Sequence, residues 1–390
     1  MATFKPKAFF KKIHAYPLIT ELYKRHDIIA LFELTEQSSR KTVTNVLKDF
    51  YDSLSPEQKI EIDEELTTIA TPASVHGEYL FPLVLKKRNV SSVTTIDCTS
   101  KEDTALYYYL FHKDDIFEDV LFLHSFFVKP SYMLYETKDL DLKDAEFKIT
   151  ELTKEYKRIL DKESLGKEYD PTHTILGNTL YYSLKAREIG SKKEEFLRVV
   201  YIKDTTEALI SFSGSKYDKI VLLDTFLRVV CNDGYLEREE SYDMSNFKKD
   251  SFDFGSHKSG TPLMSWKIKG VTLTLGGDKA KKIVKLNLPT QQESSGLHPL
   301  FSFYKELGIE KTAELALLTS VSFSLYFMNE KNKEKTIHVP VTLREKGSNL
   351  CPLYPYHSYA RKILKESGMY RGFVDIAKKE KELVNKKWEA

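Results

Sequence analysis

The sequence predicts an α+β protein whose helical beginning gives way to antiparallel strands. Before residue 165, apolar residues recur mainly at the three- and four-residue spacing of helices. From residue 179 they alternate with polar residues, as in strands that have one buried face. Near the C-terminus, two pairs of such alternating segments indicate two hairpins. We therefore expect a mainly helical domain (1–165), a small unit of three strands and a helix (166–245), and a basic, antiparallel β-rich domain (246–390).

The helical part contains segments whose beginnings are marked by capping patterns. Residues 40–54 carry one apolar stripe, formed by Val43, Val46, Leu47, Phe50 and Tyr51. In "SPEQ", Ser55 can cap the next helix, Pro56 suits its first position, and Gln58 can complete a capping box. "SKED" at 100–103 is a second capping box, and it leads into an aromatic helix that we expect to be buried.

Two other segments of the first domain are less uniform in pattern. Residues 78–89, "EYLFPLVLKKRN", fit either a strand or a helix. Residues 142–163 place apolar side chains at helical spacing among many charges. We expect them to form a long helix, largely in solvent, that leads out of the first domain.

The middle of the chain predicts strands over 179–188, 196–204 and 207–214. Residues 216–231 return to helical spacing, so a helix completes this small unit. The polar stretch 237–262 then indicates a long loop or a linker.

Two hairpins are predicted in the last part, over residues 266–288 and 318–343. Apolar residues alternate on both strands of each, and a Gly-Gly pair supplies the first turn. A short helix is expected between them, over 298–316. Pro340 has no N–H to donate to a neighbour, so we expect its strand at a sheet edge.

The composition is that of a globular protein from a reducing compartment. Hydrophobic residues make up 41% of the 390, enough to form real cores. Cys98, Cys231 and Cys351 are far apart and form no CxxC motif, so we expect a cytoplasmic protein. The charged N-terminus lacks a signal-peptide core, and the longest apolar run, 120–128, is too short for a membrane helix. Abundant lysine, tyrosine and phenylalanine favour a low-GC bacterial or phage source.

Charge is distributed unevenly along the chain. Residues 101–170 carry 11 basic and 17 acidic side chains, whereas residues 257–390 carry 23 and 13. The formal net charge of +2 conceals this difference. A basic C-terminal third beside an acidic middle is suited to an anionic partner.

The layout of the chain resembles that of a known protein family. A segment that begins Glu102-Asp103-Thr104-Ala105-Leu106-Tyr107 and ends at Phe117-Glu118 follows the helical start and precedes the middle unit and the hairpins. In this order, over most of its length, the chain is similar to an uncharacterised family of bacterial proteins that mobile elements encode. The resemblance implies a mobile-element or antiviral, phage-defence setting. No activity is established for that family, so it implies no site residues.

One pattern suits a metal-dependent nuclease. Glu136 and Lys138 follow an apolar run and Asp119 precedes another, so two adjacent strands could bring them together. The carboxylates could hold Mg²⁺, and the lysine could lie near the attacking water. Glu-x-Lys occurs four times in the chain, about as often as chance predicts. We therefore favour an ordinary strand with charged ends.

Other site motifs are absent from the sequence. It contains no phosphate-binding loop of the GxxxxGK[ST] or GxGxxG type and no GxSxG elbow. Its histidines have no metal-ligand spacing, and His112 beside Asp114 and Asp115 is better explained as a helix end. We therefore expect no metal site and no cofactor outside the nuclease alternative.

Basic residues form two clusters, Lys86, Lys87 and Arg88 in the helical part and Lys279, Lys281, Lys282 and Lys285 on the first hairpin. Lysines on a hairpin could contact the phosphates of DNA or RNA, each contact adding salt-dependent affinity. They could equally keep an edge hairpin from aggregating. The excess of lysine over arginine counts against recognition of particular bases.

The sequence thus predicts a non-enzymatic binding protein. Its basic C-terminal part is expected to bind nucleic acid or an acidic partner. A Mg²⁺-dependent nuclease using Asp119, Glu136 and Lys138 is the first alternative, and a protein–protein scaffold is the second.

Overall fold

The protein has an α+β fold with antiparallel sheets, which confirms the predicted fold class. The computed structural model describes residues 12–25, 39–73, 77–91, 96–127, 132–137, 142, 144–162, 167–188, 194–213, 225, 229, 238–244, 260–275, 282–287, 316–330 and 332–375. Nearly all of the predicted helices at 298–316 and 216–231 lies outside these ranges, and residue 316 begins a strand. The chain divides into two compact units, Met1–Lys129 and Pro130–Ala390.

The first unit consists of helices, and their bounds follow the capping patterns. The helices are α1 (Tyr16–Arg25), α2 (Arg40–Ser53), α3 (Pro56–Ala70), α4 (Gly77–Lys87), α5 (Lys101–Phe111) and α6 (Glu118–Phe127), with a π-helical turn (Lys113–Phe117) before α6. Both predicted capping boxes are present, between Ser55 and Gln58 and between Ser100 and Asp103. Residues 78–89, which fitted either element, form α4. No helix among the described residues is both long and apolar enough to span a membrane.

Aromatic side chains fill the core of this unit, as the sequence predicts for α5. Tyr107, Tyr108 and Tyr109 are successive residues of one helix and are all buried. The Tyr108 ring stacks on Phe81 of α4 with centroids 4.9 Å apart. The Tyr109 ring meets Phe117 edge-on at 5.2 Å. Three sides of α5 are therefore occupied by neighbouring elements.

The buried Asp103 joins the start of α5 to the segment before α1. Its Oδ1 accepts backbone N–H bonds from His14 at 2.8 Å and from Ala15 at 3.0 Å. Burial raises the pKa of this carboxyl, but the N–H donors of Ala15, His14 and Ser100 together outweigh burial and lower it. The ionised carboxylate therefore stabilises the contact between these two segments.

The second unit contains a seven-stranded antiparallel sheet in the order β11-β6-β1-β5-β4-β3-β2. Its strands are β1 (Met133–Glu136), β2 (Lys167–Leu176), β3 (Thr179–Glu188), β4 (Glu194–Ile202), β5 (Glu207–Ser213), β6 (Arg238–Tyr242) and β11 (Tyr370–Asp375). Helix α7 (Ala145–Lys162) packs Ile149, Leu152 and Tyr156 into the core on one face of the sheet. The helix predicted as a bridge between domains is therefore part of this unit.

The division of the chain differs from the predicted bounds at 165 and 245. Strand β1 and helix α7 belong to the sheet of the second unit, so the first unit ends before residue 165. Strand β6 lies in the stretch expected to be a loop, and β11 pairs with it from the far end of the chain. The three predicted strands are confirmed as β3, β4 and β5, but the sheet extends beyond them on both sides.

A four-stranded antiparallel sheet completes the second unit. It consists of β7 (Leu263–Leu275), β8 (Lys282–Asn287), β9 (Ala316–Met328) and β10 (Thr336–Arg344), in the order β10-β9-β7-β8. Both predicted hairpins are confirmed, since β7 pairs with β8 and β9 with β10. Strand β10, which contains Pro340, lies at the edge of the sheet, as its missing N–H predicted.

Helix α8 (Pro355–Glu366) lies against both sheets. Ala360, Ile363 and Leu364 are buried in the same cluster as the apolar face of the four-stranded sheet. Arg361, on the same helix, instead reaches carboxylates of the seven-stranded sheet. One face of the four-stranded sheet is thereby buried, and its polar residues point the other way.

Candidate nucleic-acid interface

The four-stranded sheet has a polar face opposite its core. Because directly paired residues share a face, the register fixes which side chains lie there. One row across all four strands consists of Arg344, Ser320, Thr272 and Lys285. Arg344 and Lys285, at the two ends of this row, are separated by three strand spacings, or about 14 Å. Both side chains are exposed.

The charges of this sheet all have one sign. Its four strands contain Lys267, Lys269, Lys282, Lys285 and Arg344 and no aspartate or glutamate. Lys267 lies on the polar face because it pairs with Ser324. Among the residues that the structure describes, Lys267, Lys269, Lys285 and Arg344 form no ion pair with a carboxylate. A surface of this kind attracts anions because nothing in its strands neutralises it.

Two stacked rings lie among these cations. The rings of Tyr326 and His338 on neighbouring strands have centroids 5.2 Å apart and an interplanar angle of 23°. His338 Nε2 lies 2.7 Å from the hydroxyl oxygen of Ser324. Burial lowers the pKa of His338, and the charge of nearby Lys269 lowers it further, so the ring is mainly neutral near pH 7. We call the surface formed by Lys267, Lys269, Lys285, Tyr326, His338 and Arg344 the basic face.

The basic residues predicted from sequence are found in separate places. Lys285 lies on the basic face, whereas Lys279 and Lys281 lie outside the described residues. Lys282 begins β8, and its side chain is also outside the description. Lys86 and Lys87 end helix α4 in the other unit, and Arg88 follows them.

Arg88 and Asp119 form an ion pair within the first unit. The Arg88 Nε lies 2.6 Å from Oδ2 of Asp119. Asp119 is in the first turn of α6, so the expectation of a strand at this position is wrong. The run that follows Asp119 is apolar all round, and such a run does not distinguish a buried helix from a buried strand.

The remaining nuclease candidates also have structural surroundings. Glu136 is the last residue of β1, and its carboxylate lies 3.6 Å from the guanidinium of Arg238 on the adjacent strand. Lys138 lies outside the described residues. Within the described part of the chain, no three His, Cys, Asp or Glu side chains are grouped so as to hold a metal ion. Glu136 thus occupies a charged strand end.

A second cluster of charges is buried beneath the seven-stranded sheet. Arg361 lies 3.2 Å from Oε1 of Glu240 and 3.4 Å from Oε1 of Glu207. Burial lowers the pKa of the Arg361 guanidinium, but the two carboxylates outweigh burial and raise it. Ser348 donates a further hydrogen bond to Glu240 at 3.2 Å. These charges stabilise one another and leave no cation for an external ligand.

Sequence reasoning missed most of the basic face. Lys267, Lys269, Tyr326, His338 and Arg344 are scattered over three strands, and only the register brings them together. One signal was available in the sequence: the predicted hairpin strands contain several cations and no acid. The alternation of lysine with apolar residues in "WKIKG" also places Lys267 opposite the core.

Known proteins give no further guide to this face. No family model matches the chain, and no curated protein matches its sequence. The function of the face is therefore inferred from its own side chains and their surroundings.

Proposed function

We propose that this chain is a non-enzymatic protein that binds single-stranded nucleic acid on the basic face. One observation carries the proposal: a four-stranded sheet holds only basic charges around a stacked Tyr326–His338 pair. Such a surface combines the two components that single strands require, cations for phosphates and rings for bases.

The cations supply affinity that does not depend on sequence. Each lysine or arginine that contacts a phosphate displaces condensed counterions, so binding weakens as the salt concentration rises. No carboxylate in the four strands competes with a phosphate for contact with Lys267, Lys269, Lys285 or Arg344. Three of these four residues are lysines, which bind phosphates as point charges and favour binding without base readout.

The rings favour single strands over duplexes. Unpaired bases expose their flat faces, and stacking on an aromatic side chain contributes about 1–3 kcal/mol per base. In a duplex the same faces are covered by neighbouring base pairs. Tyr326 and His338 are half-buried and exposed, respectively, so a base can approach them.

Binding is favoured over the nuclease alternative by the positions of the candidate carboxylates. Asp119 is held by Arg88, and Glu136 lies beside Arg238. Each carboxylate would have to leave an arginine before it could bind Mg²⁺. A mobile-element or phage-defence setting would suit a nucleic-acid-binding protein, and this setting remains part of the proposal.

The proposal is tested by fluorescence-anisotropy titration of labelled single-stranded DNA and RNA over about 50–200 mM salt, the range in which phosphate contacts change affinity strongly. We expect Kd to rise with a log–log slope of about 0.7 per phosphate contacted. The triple variant K267E/K269E/K285E should lose about two units of this slope and bind at least tenfold more weakly at 150 mM salt.

The matched control is K41E/K113E/K185E, which makes the same charge change at three exposed lysines that lie on elements other than the four-stranded sheet. It should bind within about threefold of the wild type. Equal weakening by both triple variants would contradict a localised interface. Cleavage of the strand with magnesium would instead support the nuclease, and preference for an acidic polypeptide would support an acidic protein partner.

A further inference from the structure

The edge strand β10 borders a small cavity of about 140 Å³ in the second unit. Thr342 and Arg344 of β10 and Lys346 and Asn349 of the following segment form one side of it. Met133, Ile210 and Phe212 of the seven-stranded sheet form the other side. Because Arg344 ends a row of the basic face, the cavity adjoins the proposed interface.

The residues between Arg344 and Asn349 are held in place by backbone hydrogen bonds. The Gly347 N–H donates to the Glu240 carbonyl at 2.6 Å, and the Arg344 N–H donates to the Gly347 carbonyl at 3.2 Å. Gly347 has φ +81°, and a Cβ there would lie 3.2 Å from the Met133 side chain. A glycine at this position therefore lets the chain turn back closely over the sheet. The turn fixes Arg344 and Lys346 beside the cavity.

The polar side of the cavity presents hydrogen-bond donors and positive charge. No carboxylate lines it. Arg344 forms no ion pair within the described part of the chain, and the Lys346 ammonium lies 4.0 Å from Glu239, at the outer limit of an ion pair. The Asn349 amide bonds to the Thr342 N–H and the Pro340 carbonyl, so it braces the edge strand. Arg344 and Lys346 are the charged groups of this wall, and Lys346 keeps its contact with Glu239.

The apolar side strengthens that attraction. Met133, Ile210 and Phe212 exclude water from half of the cavity wall, and charges interact more strongly where the local dielectric is low. The volume is well below the roughly 300–1,000 Å³ of whole-ligand pockets, so it suits one chemical group of a larger ligand. A planar guanidinium beside an ammonium is the donor pattern that phosphate prefers.

We infer that this cavity binds the terminal phosphate monoester of a nucleic-acid strand that lies on the basic face. The inference rests on the proposed function. A terminal monoester carries about −1.5 to −2 charges near pH 7, more than an internal phosphodiester. The monoester lies at the end of the nucleic-acid strand, and the cavity lies at the Arg344 end of the row of side chains across the basic face. The protein therefore distinguishes phosphorylated from hydroxyl-ended strands.

The experiment compares strands of one sequence that carry a 5′-phosphate, a 3′-phosphate or hydroxyls at both ends. Anisotropy titration should show about tenfold tighter binding of one phosphorylated form, the gain expected for a two-point, charge-assisted contact. Inorganic phosphate should weaken binding of that form alone. The preference should shrink between pH 7.5 and 5.5, because the monoester takes up a proton near pH 6.

Variants locate the effect. Lys346→Gln, which lies outside the basic face, should remove most of the preference while binding of the hydroxyl-ended strand changes only a few-fold. Arg344→Gln should remove the preference and also weaken binding of the hydroxyl-ended strand, because Arg344 belongs to the basic face. Lys335→Gln, exposed near the other end of β10, makes the same charge change and should leave the preference intact.

The outcomes separate this inference from the proposed function. Equal affinity for all three strands would overturn the inference and leave single-strand binding standing. Absence of binding to every strand would overturn the proposed function. Saturable binding of inorganic phosphate, lost in Arg344→Gln, without any strand preference would make free phosphate the ligand and overturn the assignment to a strand end.

Discussion

The two sheets of the second unit differ in whether their basic residues have acidic partners. At the seven-stranded sheet two arginines lie against carboxylates: Arg238 against Glu136, and Arg361 of helix α8 against Glu240. In the four-stranded sheet the strands carry cations and no acid at all. Helix α7 packs on one face of the first sheet, and Arg361 of helix α8 contacts two of its carboxylates. Among the described residues, the buried cluster of the second sheet lies on one of its faces.

This difference separates charges that hold the fold together from charges available to a ligand. A buried charge costs several kcal/mol to desolvate unless a partner lies close, so buried cations have partners within the protein. An exposed cation has no such requirement, and surface ion pairs contribute little to stability. An absence of acids from these strands is what the proposed binding of an anion requires, while lysines on edge strands would also oppose aggregation.

The largest change in stability is expected when the buried ion pair between Arg361 and Glu240 is removed. Arg361→Met leaves Glu240, which is only 1% exposed, without its cation. We expect the free energy of unfolding to fall by about 3–5 kcal/mol, as for other buried pairs that lose one partner. Urea denaturation followed by tryptophan fluorescence measures this, because Trp266 lies in strand β7 of the second unit.

The control for this prediction is an exposed ion pair of the same type. Arg371 lies 2.9 Å from Asp243 and is half exposed, so Arg371→Met should cost only about 0–1 kcal/mol. The double variant Arg361→Met with Glu240→Gln should recover part of the loss, since the buried charge is then removed. An Arg361→Met protein as stable as Arg371→Met would show that burial does not make this pair important.

The next prediction concerns the aromatic ring of Tyr326 on the basic face. Tyr326→Leu removes a ring from the basic face and keeps an apolar side chain of similar volume. We expect single-strand binding to weaken by about 1–3 kcal/mol, the contribution of one stacked base. Tyr326→Phe keeps the ring and should bind like the wild type in the same anisotropy titration. If Leu and Phe behaved alike, the rings would have no part in binding.

The smallest effect concerns pH and His338. Burial and the charge of Lys269 lower the pKa of the free histidine, and a bound phosphate would raise it. Binding of a hydroxyl-ended strand should therefore tighten as the pH falls below about 6.5, by roughly threefold if the two pKa values differ by half a unit. His338→Asn should remove this increment. In the free protein the sign is opposite, since a lowered histidine pKa means that stability declines toward acid pH.

Sequence predicted the parts of the fold that depend on neighbouring residues. The sequence predicted the Ser55 and Ser100 caps, the helix at 142–163 and the edge strand of Pro340, because each follows from local chemistry. It did not predict strand β6, since "REESY" has the composition of a loop. Its Glu240 is tolerated in a buried strand only because Arg361, 121 residues away, lies against it.

The site was predicted in part for the same reason. Lys285 was identified by its position on a hairpin, a local feature. The Tyr326–His338 pair and Lys267 could be placed only by the register between strands, which the sequence does not state directly. Asp119 was misplaced because its apolar run matches a helix and a strand equally. The basic character of the C-terminal third was visible, but the surface that it forms was not.

The pairing of β6 with β11 has a consequence for synthesis on the ribosome. Strand β6 cannot pair with β11, and Glu240 cannot contact Arg361, until almost the whole described chain has been synthesised. The helical unit, Met1–Lys129, is a separate compact unit that is synthesised first, so it can fold earlier. Translation would therefore yield a folded first unit attached to an incomplete sheet with an unneutralised acidic strand.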